Sequence, residues 1–197
     1  SGTVTINDND TAPTLAVSDV TVIEGVVASF TVTKTGATEA NVQFDWTTAS
    51  GTALAGTDFT AGSATAVTLA PGTTTHTINV TTTDDALNEN AETYSVVLSN
   101  AVDSSISDTT GVGTLNDNDA ATSISVNDVA VVEGAVAAFT VTLNTISGRA
   151  VTFDWVAQDV TSTSPSDYTA VGGTVTIPAG STTATLNVTT INDVTVC

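Results

Sequence analysis

Asn116-Asp117-Asn118-Asp119 closes one strand-like run of the chain, and the same four residues stand earlier as Asn7-Asp8-Asn9-Asp10. Each copy follows a short alternating stretch, Gly-Thr-Val-Thr-Ile at the front and Gly-Val-Gly-Thr-Leu later, and each is followed by a new run of Val, Leu and Ile. Asp10 to Asp119 is a step of 109 residues, and Glu24 to Glu133, Trp46 to Trp155 and Asp58 to Asp167 repeat that step. A fixed internal period means tandem units, so the chain is read as repeats first. Residues 1–10 read as the last strand of a preceding repeat. Residues 14–119 read as one complete repeat, and residues 122–197 as a second that lacks its last two strands. After Asp167 the step falls to 108 (Asn79 to Asn187), a one-residue deletion in the following loop.

Within the first repeat, Ala28, Phe30 and Val32 alternate with Ser29, Thr31 and Thr33, and Val42, Phe44 and Trp46 alternate with Gln43 and Asp45. Alternation of period two marks half-buried strands. Glu24-Gly25, Gly51 to Gly62, Pro71-Gly72 and Asp84 to Glu92 break the runs as turns or loops. The spacing predicts about seven strands and an all-β sandwich. Thr, Val and Ser abound while Lys and Met are scarce, which also favours strands. Trp46 and Trp155 alternate with polar neighbours and read as core, and His76 reads as an exposed or edge residue.

Among the 197 residues, twenty-one acids stand against two bases, a formal charge of −19. That excludes nucleic acid as a natural partner and disfavours an anionic membrane surface. No run approaches the roughly 20 apolar residues of a membrane span. The single cysteine, Cys197, cannot form an internal disulfide. Serines are plentiful, but no His or Lys base recurs with the repeat, so the pattern argues against catalysis.

Glu24, Asp58, Asp84, Asp85, Glu89, Glu92, Asp117 and Asp119 fall in loops rather than on strand faces. Asp is an ordinary turn former, and an isolated acid such as Asp103 or Asp128 needs no further reason. Eight together without countercharge are costly. Alternate loops of a sandwich gather at one pole, and hard oxygen donors at close quarters suit Ca²⁺.

The strings Val-Ile-Glu-Gly (22–25), Gly-Thr-Asp-Phe (56–59), Asp-Asp-Ala-Leu-Asn-Glu-Asn-Ala-Glu-Thr-Tyr (84–94) and Gly-Thr-Leu-Asn-Asp-Asn-Asp (113–119) resemble those of Calx-β domains over nearly the whole chain. That family includes cytosolic calcium-sensing domains of sodium–calcium exchangers and repeats of large bacterial surface proteins. The resemblance implies tandem immunoglobulin-like, seven-stranded β-sandwiches with Ca²⁺ held by loops at one end, the second copy incomplete. It implies ligands at Glu24, Asp58, Asp84, Asp85, Glu89, Glu92, Asp117 and Asp119, with Asn118 standing where the exchanger form has an acid. In the second copy Glu133, Asp167 and Asp193 match, while Asn192 and Cys197 replace acids. Asp8 and Asp10 would belong to the preceding repeat.

The expected role is a calcium-binding structural module of an extracellular or cell-surface bacterial adhesin, matrix or fibre, with neighbouring repeats as partners. Two other readings stand beside it. The spare N-terminal strand and the unfinished second sandwich could make the chain a homo-oligomer or filament, and the modules could be carbohydrate-binding or spacer units of a secreted enzyme.

Overall fold

A computed structural model describes residues 2–5 and 9–193. It separates into two compact units, residues 1–85 with 91–118, and residues 86–90 with 119–197. Among the described residues every regular element is a strand, and no helix is long and apolar enough to cross a membrane.

The first unit contains β1 (Thr14–Val17), β2 (Val20–Ile23), β3 (Ala28–Thr35), β4 (Val42–Ser50), β5 (Ser63–Leu69), β6 (Thr75–Val80), β7 (Glu92–Val102), β8 (Ser105–Asp108) and β9 (Thr110–Asn116). One sheet runs β6-β3-β1-β8 and the other β2-β9-β7-β4-β5. These nine segments follow seven paths, because the first and last strands each leave one sheet for the other. β1 pairs with β3 and β2 with β9; β8 pairs with β1 and β9 with β7. The change of sheet is fixed by side chains. Ser18 Oγ accepts the Thr31 N–H at 3.0 Å and Asp19 Oδ1 accepts the Val112 N–H at 2.7 Å. The two crossing strands approach so closely that a Cβ at Gly111 would lie 2.5 Å from the Ser18 carbonyl.

The alternation read in the sequence becomes the core. Phe30, Val32, Val42, Phe44 and Val96 have no exposed surface. Each such side chain contributes roughly 1.5–3 kcal/mol by burial. Tyr94 stacks on Phe59 at 4.3 Å and meets Phe30 edge-on at 5.9 Å. Trp46 is half-buried against this cluster. His76 sits half-buried on the edge strand β6, its ring edge-on to Phe44 at 5.7 Å. Lys34 is 4% exposed. It stands where the second repeat has Leu143; its stem fills core space and its Nζ donates to the Ala70 carbonyl at 3.3 Å.

The second unit contains β10 (Ile124–Val126), β11 (Val136–Leu143), β12 (Val151–Val156), β13 (Gly172–Ile177) and β14 (Thr183–Thr189). They form a three-stranded sheet, β10-β11-β14, and a two-stranded one, β12-β13. These are the counterparts of β1 and β3 to β6. Among the described residues no strand corresponds to β7, β8 or β9, and Val129–Val132, the counterpart of β2, forms no ladder. Tyr168 donates to Asp159 Oδ1 at 2.6 Å. Accepting that bond holds the Asp159 carboxyl below its ordinary range, and donating it raises the Tyr168 hydroxyl.

Candidate metal centre

Three loops of the first repeat are brought together by main-chain bonds before any carboxylate acts. Glu24 N–H donates to Asn116 O at 3.1 Å, Gly25 N–H to Thr83 O at 3.2 Å, and Thr83 N–H to Asp58 O at 2.8 Å. Gly25 has φ +76°, and a Cβ there would lie 2.8 Å from Asp84 Cβ. Glycine therefore serves twice, for its left-handed backbone and for lacking a side chain.

The side chains complete the arrangement. Glu24 Oε1 accepts the Asn118 N–H at 3.2 Å, and Asn118 Nδ2 donates to Asp84 Oδ1 at 2.9 Å. Asn118 thus ties two acids to one backbone position. In the sequence Asn118 is only an uncharged residue between two aspartates; its bridging role follows from the fold. Asp58 Oδ2 accepts the Leu54 N–H at 2.6 Å, which shapes its own loop.

Two groups of carboxylates result within the first unit: Glu24 with Asp117, and Asp58 with Glu92. All four are half-buried, and within each group the two residues have an oxygen within 4.8 Å of each other. An ion with oxygens at 2.3–2.6 Å spans such a separation. Neither group holds His or Cys, so the donors suit a hard divalent ion rather than zinc. Asp84 and Asp85 are exposed and fall outside both groups.

The second unit repeats the scaffold. Asp167 Oδ2 accepts the Thr163 N–H at 2.6 Å, and Ile191 N–H donates to Asp167 O at 2.9 Å. Gly134 has φ +79°, and a Cβ there would lie 3.0 Å from Asn192 Cβ. Asn192 therefore occupies the place of Asp84. Glu133 is exposed, Asp167 and Asp193 are half-buried, and no group of three acids forms around them among the described residues. Asp8 and Cys197 lie outside the described residues.

The family model of the Calx-beta domain matches residues 7–119 and again residues 116–196. The chain belongs to the Calx-beta domain family. It carries two adjacent Calx-beta domains, and the solved structures agree with that fold. The crystal structure of the apo-form Calx CBD1 domain is similar at 21% identity and TM-score 0.52, over 55% of this chain and 100% of that one. CBD12 from CALX1.2 is similar at 19% identity and TM-score 0.52, over 93% of this chain and 77% of that one. The calcium binding domain CBD12 of CALX1.1 gives 18% and 0.51, over 88% and 74%. No curated protein sequence matches the chain.

Proposed function

We propose that the chain is a pair of calcium-binding structural modules, and that the first Calx-beta domain holds Ca²⁺ through Glu24, Asp58, Glu89, Glu92, Asp117 and Asp119. The observation that carries this reading is the approach of Glu24 to Asp117 and of Asp58 to Glu92, each pair with oxygens within 4.8 Å. Carboxylates at that spacing repel, and a bound divalent ion would relieve the repulsion. Asn118 positions Glu24 and Asp84 for that purpose. Asp84 and Asp85 lie at the rim, where a small loop movement would bring them to the same pole. Glu133, Asp167 and Asp193 form the corresponding but weaker acid set of the second domain.

The setting that fits is an extracellular or cell-surface repeat protein, an adhesin, matrix or fibre component. Acidic modules of that kind work near ambient calcium, with Kd of roughly 10⁻⁴–10⁻³ M. The acidic string leads through Ala120-Ala121 into the next repeat, so fixing Asp117 and Asp119 would also stiffen the chain as it leaves the first domain.

Calorimetric titration with CaCl₂ beside a melt in chelator tests the reading. Saturable uptake at millimolar calcium and a higher first-domain midpoint are expected. Equal midpoints with no uptake would sink it.

A further inference from the structure

Residues 86–90 lie between β6 and β7 of the first repeat, yet they pack as part of the second unit. Their seat there is the turn Ser147-Gly148-Arg149, between β11 and β12. Asn88 and Ser147 form an isolated parallel bridge. The Asn88 carbonyl accepts the Gly148 N–H at 3.2 Å and the Ser147 hydroxyl at 3.2 Å. Ser147 Oγ in turn accepts the Arg149 N–H at 3.2 Å, and Arg149 Nη1 donates to Asn90 Oδ1 at 3.2 Å. Gly180 N–H donates to the Ser147 carbonyl at 2.9 Å, which fixes the turn to a hairpin of its own repeat. Asn88 is 6% exposed and Ser147 1%. Polar groups buried this deeply need their bonds made, so the loop and the turn are matched to each other.

The centre of the turn has no room for a side chain. A Cβ at Gly148 would collide with the Glu89 carboxylate and its stem. Gly148 does not have a positive φ, so glycine is required there for space and not for conformation. One step of 109 residues earlier the same turn reads Thr38-Glu39-Ala40. Its frame is kept, because Thr38 Oγ accepts the Ala40 N–H at 3.1 Å as Ser147 Oγ accepts that of Arg149. Its contact groups are not kept. Glutamate stands in the place of Gly148, and alanine in that of Arg149, one of the two bases in the chain. A loop bearing an acid at the position of Glu89 would meet there both an obstructing side chain and a like charge.

We propose that this turn is a docking surface that reads the loop of the preceding repeat, and that the residue at its centre sets which repeats can stand next to each other. Glycine admits a loop of the 86–90 kind, and glutamate excludes it. The second repeat accepts the first as its predecessor, whereas the first repeat rejects a predecessor of its own kind. Discrimination of this sort uses a repulsive element beside the attractive ones, and Glu39 is the repulsive element here. The attachment is made by main-chain, hydroxyl and amide groups, so it is independent of whether the acids hold an ion.

Native-state hydrogen exchange and thermolysin cleavage of the 197-residue chain, both in chelator so that calcium plays no part, test this. In the parent the residue-148 amide should be protected and the loop should resist cleavage at Leu87. Gly148→Glu should lower that protection by roughly tenfold or more and open the loop to cleavage, while the amides of β11 and β14 keep theirs. Adding Glu89→Ala to Gly148→Glu makes room again and should restore both readouts. The ordering rule is tested in a longer chain that carries residues 14–119 twice ahead of the second repeat. The loop of the leading copy should be cut readily, and Glu39→Gly with Ala40→Arg in the following copy should protect it. Unchanged protection in Gly148→Glu, no recovery on adding Glu89→Ala, a leading loop as resistant as the parent's, or no gain from the Glu39→Gly pair would each overturn the proposal.

Discussion

The two units share a strand pattern and a loop scaffold and differ in how densely their cores are packed. In the first, β7 and β9 form the middle of the five-stranded sheet, and Phe30, Phe44 and Tyr94 are at most 1% exposed. In the second, Phe139, Phe153 and Trp155 are only partly buried, and the buried residues fall into two small clusters instead of one. The same alternation is packed into one dense core in the first unit and into smaller, looser clusters in the second. The acids follow suit. Glu24 gains neighbours from the string that ends β9, whereas Glu133 remains exposed.

The largest test of that contrast is a paired truncation. Phe30→Ala should destabilise the first unit by about 3–5 kcal/mol, while Phe139→Ala at the equivalent strand position should cost the second markedly less. Two-step thermal unfolding, with each substitution moving a different step, is the measurement; equal costs would break the comparison.

Next comes calcium. At a hundredfold excess over Kd the first unit should gain about 2.7 kcal/mol, and the second much less. Glu24→Gln keeps an oxygen for the Asn118 N–H but removes a charge. It should raise stability slightly in chelator and erase most of the calcium gain. Glu133→Gln should leave the first unit unchanged and reduce only the smaller calcium gain of the second.

Glycine sharpens the contrast further. Gly111→Ala forces the crossing strands apart and should cost about 1–3 kcal/mol. Gly2→Ala, its counterpart one repeat earlier, has nothing within 4 Å of the added methyl and should leave the midpoints unchanged.

The smallest effect has the opposite sign. Tyr94 is 1% exposed and its hydroxyl has no hydrogen-bond partner, so Tyr94→Phe should stabilise the first unit by about 1 kcal/mol. Burial pushes that hydroxyl up to about 12. An unfolded tyrosine ionises near 10. The folded state therefore holds this proton more tightly, and the first unit should lose stability as pH rises from about 10 to about 12. Tyr94→Phe should remove that loss, which a melting series against pH would show.

The sequence by itself determined the repeat, its 109-residue step and the strand alternation, because side chains on a strand change faces at every residue and an apolar face must be buried. It also named the acids and the breaks between strands. It did not show that the first and last strands divide between sheets, because Ser18, Asp19 and Gly111 act across ninety residues of chain. Nothing local in the sequence says that the Lys34 stem lies in a core position. Only the tertiary structure decided which carboxylates approach one another, made Asn118 a bridge between Glu24 and Asp84, and left Asp84 and Asp85 exposed. Strand identity is written in neighbouring residues, whereas a site is assembled by loops that are distant in the chain and meet only once the sheets have packed.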